Sequence, residues 1–369
     1  MSNGHISKIS EELNLTTKQV QATVVLLEEG ATVPFIARYR KEATGSLDEV
    51  AITTVRDRLD QLRELDKRRE AILKSLEERG QLTDELKEKI HATETMTVLE
   101  DIYLPYRPKR RTRATIAREK GLEPLAQRIF VQDDIDPCAV SAAFVNAEKG
   151  VNSVEDALGG ARDIIAEWVN EDQNSRAKIR ELFMTQGVFR TKVISGKEEE
   201  GMKYKDYFDW EESVSTAPSH RILAMRRGEK EGFLSLRVTP PEEDAIAVLE
   251  SLFVKGNGAA AQHVKMAVHD SYKRLLSISM ETEVRLETKK RADEEAISVF
   301  AANLRQLLLA PPLGQKNVLA IDPGFRTGCK VVCMDRQGKL LHTETIYPHQ
   351  SEERTSEAAA KIISLCERF

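Results

Sequence analysis

The chain has 369 residues, of which 41% are hydrophobic, 31% charged and 5% aromatic, and its formal net charge is −5. This length suggests two or three domains, and abundant charge with few aromatic residues is typical of a helix-rich protein with exposed charged faces. The negative net charge excludes a polycation, so a nucleic-acid-binding surface would have to be a local patch.

Segments for export or membrane insertion are absent from the sequence. No stretch approaches the roughly 18 apolar residues that cross a bilayer, and the N-terminus lacks the basic-then-apolar layout of an export signal. The four cysteines include no CxxC pair. We therefore expect a cytoplasmic protein without a membrane segment.

The N-terminal part of the chain is predicted to be helical. One helix is expected over residues 17–30 and a second over residues 34–45. A longer helix is predicted over residues 47–79, because apolar residues recur there at helical spacing while the opposite face is charged. Two prolines in residues 104–108 then interrupt the helical pattern.

The central part combines helices with a short β-rich stretch. One continuous helix is predicted over residues 154–184. Glycine and proline then break residues 188–241 repeatedly, and two strand-like runs, Phe189–Ile194 and Phe233–Val238, lie between the breaks. Helical patterning returns over residues 259–309. The sequence therefore predicts a small β-containing insert in an otherwise helical region.

A linker at residues 310–315, Ala-Pro-Pro-Leu-Gly-Gln, precedes a different pattern. Three strand-like runs follow it: Val318–Asp322, Cys329–Met334 and Leu340–Ile346. Ser351 is then the expected N-cap of a helix. Three antiparallel strands and a helix, with an aspartate ending the first strand, resemble the opening of a ribonuclease-H-like fold. Because such a module needs roughly a hundred residues to close its sheet, residues 317–369 are expected to hold only its beginning.

Asp322 is the position that matches the first catalytic acid of ribonuclease-H-like nucleases. In those enzymes this aspartate bridges two divalent metal ions, which requires three or four converging carboxylates. Only Asp322 has a recognisable place here, because Asp335 falls in a hairpin turn where aspartate is common for backbone reasons. The favoured interpretation is that Asp322 belongs to a tight Asp-Pro-Gly turn. We therefore predict no catalytic residue, no metal and no cofactor.

A cluster of basic residues is the candidate nucleic-acid-binding site. Its members lie within seven residues that contain no acid: Arg107, Lys109, Arg110, Arg111 and Arg113. Such a loop neutralises phosphates without reading bases, and the neighbouring Tyr103 or Tyr106 would stack on an unpaired base. Alternatively the run is solvated, or it bridges to an acidic helix at residues 94–101. Arg118 and Lys120 would extend the basic patch.

A second basic segment, residues 220–232, is predicted to be a short helix closed by glycine. Arg221, Arg226 and Arg227 would contact phosphate there, but packing of one domain on another is the favoured interpretation. The sequence contains no P-loop, dinucleotide-binding fingerprint, GxSxG or HExxH motif. An ordinary metabolic enzyme is therefore not indicated.

Four segments together resemble one protein family. They are residues 29–45, 99–113, 220–232 and 321–328. The first, EGATVPFIARYRKEATG, and the second, LEDIYLPYRPKRRTR, are long and specific. Over essentially its whole length the chain resembles the Tex family of bacterial transcription accessory proteins.

The resemblance implies a helical N-terminal region with helix-turn-helix-like elements, followed by a YqgF domain of ribonuclease-H-like fold. In the family, helix-hairpin-helix repeats and an OB-fold RNA-binding domain would follow. The resemblance also implies binding of RNA or DNA with little sequence preference, with RNA polymerase or the ribosome as candidate protein partners.

The prediction is thus a mainly α protein in three parts. Residues 1–187 form a helical region, residues 188–310 a mixed segment with short strands and long helices, and residues 317–369 an incomplete YqgF domain. The expected function is that of a non-catalytic, nucleic-acid-associated transcription accessory protein and scaffold. Two alternatives stay open: metal-dependent nuclease or resolvase-like activity of a complete YqgF domain, and a protein-interaction scaffold for the transcription machinery.

Overall fold

A computed structural model of the chain describes residues 3–324, 327–349 and 351–369. The helices are α1 (Asn3–Leu13), α2 (Thr17–Glu28), α3 (Val33–Tyr39), α4 (Lys41–Thr44), α5 (Glu49–Glu78), α6 (Asp84–His91), α7 (Met96–Tyr103), α8 (Arg113–Glu119), α9 (Glu123–Val131), α10 (Pro137–Ala142), α11 (Val154–Glu171), α12 (Gln173–Gln186), α13 (Ser219–Lys230), α14 (Glu242–Phe253), α15 (Ala259–Ser271), α16 (Ser277–Leu308) and α17 (Glu352–Arg368). The strands are β1 (Val188–Val193), β2 (Asp209–Ser213), β3 (Leu234–Thr239), β4 (Val318–Asp322), β5 (Cys329–Met334) and β6 (Leu340–Ile346). The predicted mainly α architecture is confirmed.

The chain divides into two compact units, Met1–Asp293 and Glu294–Phe369. The first unit contains α1 to α15, the start of α16 and the sheet β1–β3. The second contains the end of α16, the sheet β4–β6 and α17. Among the described residues, no helix combines the length and apolarity required to cross a membrane.

Helix α5 organises the N-terminal part of the first unit. It has 30 residues, and its N-cap Asp48 accepts a hydrogen bond from the backbone N of Ala51 at 2.8 Å. The buried face of α5 carries Ile52, Val55, Leu59, Leu62, Leu65, Ile72 and Leu76. The first half of this face packs with α1, α2 and α3, and the second half packs with α6 and α7. The long helix predicted over residues 47–79 is confirmed.

Two helices that the sequence predicts as continuous are interrupted. The segment 34–45 lies in α3 and α4, which meet at Arg40 with φ −129° and ψ 27°. The segment 154–184 lies in α11 and α12, which are separated by Asp172. Its carboxylate accepts hydrogen bonds from the backbone N of Ser175 at 2.7 Å and from its hydroxyl at 2.9 Å. A short acidic side chain that binds free N–H groups begins a new helix, and hydrophobic periodicity does not detect this competition.

The largest hydrophobic core lies in the central part of the first unit. The fully buried Phe183 of α12 and Phe189 of β1 join the helices and the sheet in this core. The sheet is antiparallel, with strand order β2-β1-β3. Strands β1 and β3 confirm the predicted strand-like runs. Strand β2 was missed because its sequence, Asp-Trp-Glu-Glu-Ser, is polar, as is common for edge strands.

Helices α15 and α16 are joined by a π-helical turn, Tyr272–Leu276. The sequence predicts an uninterrupted helix here, because one extra residue in a single turn leaves the apolar periodicity on either side unchanged. Tyr272 and Leu276 are buried, and the turn packs against α11. From the same turn, Arg274 Nη2 lies 3.4 Å from Asp163 Oδ1 of α11.

The second unit contains the predicted three strands and helix. The sheet has the order β4-β5-β6 with antiparallel neighbours. Buried Cys329, Val331 and Cys333 of β5 share a core with Ala358 and Leu365 of α17. This part of the prediction is confirmed.

Two adjacent glycines of α11 offer a test of the packing. A Cβ on Gly160 would lie 2.4 Å from Leu122 Cδ1 and 3.3 Å from Ala117 Cβ, whereas one on Gly159 would have Arg162 Nη2 as its nearest neighbour at 3.8 Å. We expect Gly160→Ala to lower the free energy of unfolding by about 1–3 kcal/mol, because the buried Leu122 must move. The control Gly159→Ala should raise it by about 0.5–1 kcal/mol. Equal stability of the two variants in urea denaturation would contradict this packing.

Candidate nucleic-acid interface

The basic cluster lies on the loop between the 3-10 turn Leu104–Tyr106 and α8, except that its last member, Arg113, is the first residue of α8. At the start of the loop, the carbonyl oxygen of Tyr106 accepts a hydrogen bond from Arg79 Nη1 at the end of α5. At the end of the loop, Thr112 forms a capping box: its Oγ1 accepts from Thr115 N at 3.0 Å, and its N donates to Thr115 Oγ1 at 2.7 Å. The loop is therefore held at both ends.

Lys109 is directed into the protein. Its Nζ lies 3.1 Å from Glu167 Oε2 and forms a second ion pair with Glu171, both on α11. Glu167 also accepts hydrogen bonds from Arg118 Nη1 at 2.5 Å and from Thr112 Oγ1 at 3.1 Å. The two glutamates are only 6% and 9% exposed. In this arrangement Lys109 and Arg118 compensate buried acids, and neither presents an unpaired charge to a phosphate.

The two buried glutamates have different protonation behaviour. Burial raises the pKa of Glu171, and the hydrogen bond and charge of Lys109 offset this only in part. Burial also acts to raise the pKa of Glu167, but the Arg118 hydrogen bond and the charge of Lys109 outweigh it, so the pKa of Glu167 is lowered. Glu167 therefore stays ionised to a lower pH than Glu171 and is the more persistent negative charge that binds the loop.

The remaining members of the cluster are exposed. They are Arg107, Arg110, Arg111 and Arg113. The Arg111 side chain, 71% exposed, lies 3.1 Å from Glu119, a surface ion pair that contributes little to stability. In the part of the chain that the structure describes, no carboxylate lies within ion-pair distance of Arg107, Arg110 or Arg113. Their charges are directed to solvent.

A groove of about 410 Å³ continues from Arg113 along the junction of α8 and α11. Its basic lining residues are Arg113, Lys120 and Arg162. Lys120 Nζ donates to a backbone carbonyl at 2.8 Å, and Arg162 pairs with Glu155. Asp163 also lines the groove; burial raises its pKa, although the charges of Arg274 and Arg113 act in the opposite direction. Sequence reasoning found Lys120 but missed Arg162, because α11 brings it beside the loop only in the folded chain.

The expectation that Tyr103 stacks on a base is wrong. The Tyr103 ring is only 6% exposed and belongs to the core between α5, α6 and α7. Its hydroxyl lies 3.1 Å from Ser75 Oγ. Tyr106 is half-buried against the same core. The exposed part of this loop therefore offers arginine side chains, and not the Tyr103 ring, to a ligand.

The acidic residues expected to bridge to the cluster have other partners. Asp101 is buried and binds Arg176 Nε at 2.5 Å and Arg180 Nη2 at 2.8 Å. Both arginines also pair with Glu283 of α16. The other pairs of this segment are Glu100 with Arg68 and Glu94 with Lys8. The buried acids that do pair with the basic loop, Glu167 and Glu171, come from α11, far away in sequence; the surface pair of Arg111 is with Glu119 of the adjacent α8.

The second basic segment, residues 220–232, is used mainly for packing. Arg221 Nη1 binds Glu212 Oε1 of β2 at 2.6 Å. Arg226 Nη1 donates to a backbone carbonyl of α16 at 3.1 Å, and burial lowers the pKa of Arg226. Arg227 is exposed. These are packing contacts within the first unit, and they do not test packing of one domain on another, which stays a prediction.

Asp322 is the last residue of β4, is exposed, and lies opposite Lys330 of β5. Asp335 is a turn residue as predicted, since its Oδ1 accepts two hydrogen bonds at 2.9 Å from backbone N–H groups of the same turn. Phe325 and Arg326, which follow the Asp-Pro-Gly sequence, lie outside the described residues. Within the described ranges, no group of three or more His, Cys, Asp or Glu side chains is arranged to hold a metal ion.

Three family models match the chain. A Tex-like protein N-terminal domain matches residues 3–77, a Tex central region-like model matches residues 132–300, and a Tex protein YqgF-like domain matches residues 316–369. The chain belongs to the Tex family. The resemblance seen in the four sequence segments is thereby confirmed.

Individual relatives are similar over most of the chain. Protein YhgF of Escherichia coli (strain K12) is 45% identical over 98% of this chain and 48% of its own length. Transcriptional accessory protein Tex of Neisseria gonorrhoeae is 42% identical over 93% of this chain and 46% of its own length. The more distant S1 RNA-binding domain-containing protein 1 of Homo sapiens is 27% identical over 93% of this chain and 36% of its own length. The chain thus spans about half the length of these two bacterial relatives and 36% of the length of the human relative.

Replacing Lys109 with Met tests whether it compensates the buried glutamates. We expect Lys109→Met to lower the free energy of unfolding near neutral pH by about 1–3 kcal/mol, because two buried carboxylates lose a charged partner. The neighbouring Arg110 is exposed, so Arg110→Met should change stability by no more than about 0.5 kcal/mol. Chemical denaturation measures both, and equal effects would contradict the inward position of Lys109.

The effect of Lys109→Met should depend on pH with a defined sign. Loss of Lys109 raises the pKa of both glutamates in the folded state. A carboxyl group whose pKa is raised by folding destabilises the folded state when it is ionised, so the variant regains stability relative to the wild type as the pH falls and the group becomes protonated. The contribution of wild-type Glu167 is present above about pH 4.5 and is lost only below that pH, as the pH falls through its lowered pKa, so the change between pH 7 and 4.5 comes from the raised pKa values in the variant. The stability difference between wild type and variant should therefore shrink from about pH 7 toward 4.5, the ordinary pKa of glutamate. A constant or growing difference would contradict the assignment.

Proposed function

We propose that this chain is part of a transcription accessory protein that binds RNA or DNA with little sequence preference and without catalysing a reaction on it. The observation that carries the proposal is the loop after α7. It is held at both ends and presents Arg107, Arg110, Arg111 and Arg113 to solvent, while Lys109 forms two internal ion pairs. The names of two relatives, one a transcriptional accessory protein and one an S1 RNA-binding domain-containing protein, agree with this proposal.

The chemistry of the exposed side chains supports phosphate binding. A guanidinium group is always charged and presents several donors in a plane, which suits two oxygens of one phosphate. Arg107, Arg110 and Arg113 break no internal ion pair among the described residues when they bind, and Arg111 exchanges only a surface contact with Glu119. Phosphate contacts do not read bases, so the expected binding is independent of sequence.

We place this function in the cytoplasm and propose RNA polymerase or the ribosome as protein partners of the complete protein. The exposed charged faces of α5 are compatible with such docking. Capture of either assembly by the 369-residue chain in a purified binding assay would support a direct contact, and failure under low-salt conditions would count against it.

Replacing Arg110 and Arg111 with Ala is the test of the nucleic-acid interface. The double variant should bind RNA or DNA more weakly, and the slope of log affinity against log salt should fall by about 1–2, since each phosphate contact contributes roughly 0.7–0.9. Arg227→Ala/Lys230→Ala removes the same charge from exposed positions of α13 and serves as the matched control. Unchanged affinity and salt slope in the Arg110/Arg111 variant would remove this proposal.

The absence of catalysis is tested at Asp322. We expect the chain to leave structured nucleic acid intact in the presence of Mg²⁺, and Asp322→Asn to behave identically. Magnesium-dependent cleavage that disappears in Asp322→Asn would establish the nuclease alternative instead.

A further inference from the structure

A second basic surface, which unlike the arginine loop also carries exposed aromatic side chains, lies on α3 and at the start of α4. Residues 38–41 read Arg-Tyr-Arg-Lys. Tyr39 is 68% exposed, and Phe35, one helical turn earlier, is 40% exposed. Their ring centroids are 5.5 Å apart, with an angle of 43° between the rings. Two large rings therefore stand side by side on the surface among cations.

Arg40 extends this surface. Its guanidinium carbon lies 5.1 Å from the centroid of the Phe35 ring, so that the cation covers part of the ring. Its Nη1 also donates to the carbonyl oxygen of Tyr39 at 3.2 Å. A hollow of about 430 Å³ beside Phe35 has the apolar Leu26 and Ala31, the basic Arg40 and the acidic Glu29 in its lining. We refer to Phe35, Tyr39 and Arg40 as the aromatic platform.

Packing within the chain does not account for the platform. The intervening Ile36 and Ala37 are buried, with 0% and 3% exposed, and they attach the other face of α3 to the core that includes α5. Arg38 has its nearest carboxylate, Glu49, at 3.9 Å, which is a weak surface pair. In the portion of the chain that is described, Arg40 and Lys41 have no carboxylate within ion-pair distance.

We infer that the aromatic platform binds the bases of single-stranded nucleic acid by stacking, with Arg38 and Lys41 contacting its phosphates. Exposed rings with interspersed cations suit this ligand, because every base has a π-face and every nucleotide carries a phosphate. A duplex keeps its bases stacked and paired, and offers no free face to Tyr39. The inference rests on the proposed function for the ligand class, but it uses different residues.

Helix α5 sets the distance between the platform and the arginine loop. The platform lies at the start of α5, where Arg38 is near Glu49, and the loop begins at the end of α5, where Arg79 binds the Tyr106 carbonyl. With 30 residues, α5 is about 45 Å long, and we take this length as the approximate distance between surfaces at its two ends. At about 3.4 Å per stacked nucleotide, a strand of roughly 13 nucleotides spans this distance. A longer strand is therefore able to engage both surfaces, and the two contacts then reinforce each other.

Binding of the 369-residue chain to labelled oligouridylates of 6 and 20 nucleotides tests the platform. Tyr39→Ala should weaken binding of the 20-mer at least about fivefold, since it removes one base stack, and should lower the ratio of 20-mer to 6-mer affinity. Binding of a duplex of 20 base pairs should change little. Tyr39→Phe keeps the ring and should bind as the wild type does. Leu286→Ala, at a 61% exposed position of α16, is the control for loss of a large surface side chain.

A fluorescent base analogue, 2-aminopurine, within the 20-mer gives a direct readout of stacking. Its emission should be quenched by the wild type and by Tyr39→Phe, and less by Tyr39→Ala. At saturating protein concentration, where every strand is bound, a structural role of Tyr39 alone would not produce this difference between the two variants.

The outcomes separate this inference from the proposed function. In one outcome, Tyr39→Ala binds the 20-mer as the wild type does while Arg110→Ala/Arg111→Ala loses affinity. The platform inference is then overturned and the proposed role of the arginine loop is supported. The exposed rings then serve a protein partner instead. If Tyr39→Ala loses affinity and the arginine variant does not, the platform stands and the loop does not. If the wild-type chain binds neither oligonucleotide, both proposals fail.

Discussion

Carboxylates buried in a protein core need cations close to them, because removing such a charge from water costs several kcal/mol. Glu167 and Glu171 impose this constraint on the first unit. They lie on α11, the helix that contacts α8, α9, α10, α12 and α15, and they take Lys109 and Arg118 as their partners. The basic loop is thereby folded against α11. The neighbouring arginines stay at the surface, because among the described residues no further buried acid lies within ion-pair distance of them.

A second group of charges, two of them buried and two half-buried, connects the N-terminal helices to the central region. Asp101 of α7 and Glu283 of α16 alternate with Arg176 and Arg180 of α12, so the four charges sum to zero. Arg176 and Asp101 are 5% and 6% exposed, which makes the energy of the group sensitive to loss of any single member. Alternating charges of this kind fix the relative position of three helices, because each carboxylate is bound from two directions. The segment that begins the basic loop is therefore attached to the core of the unit on both sides.

Helix α5 relates these features to function. One of its ends supports α3 with Phe35 and Tyr39, and its other end holds the start of the arginine loop through Arg79. A single amphipathic rod thus keeps two basic surfaces at a fixed separation. Neither surface has the enclosed, largely apolar shape of a small-molecule site, and both suit a long, flexible polyanion.

The sequence by itself determined the type and order of most elements. The helical spacing of apolar residues predicted α5, and the glycines and prolines that bound short apolar runs predicted β1 and β3. The alternating pattern at residues 318–346 predicted the three strands of the second unit. These signals are local and repeat within a few residues. Only the tertiary structure decided where Asp172 divides a helix and which members of the basic cluster are exposed. Lys109 and Arg110 are chemically similar neighbours, yet the half-buried Lys109 is held in two ion pairs and Arg110 is solvated. The reason is physical: the direction of a side chain depends on which distant groups folding brings beside it, and for Lys109 those groups are two acids on α11.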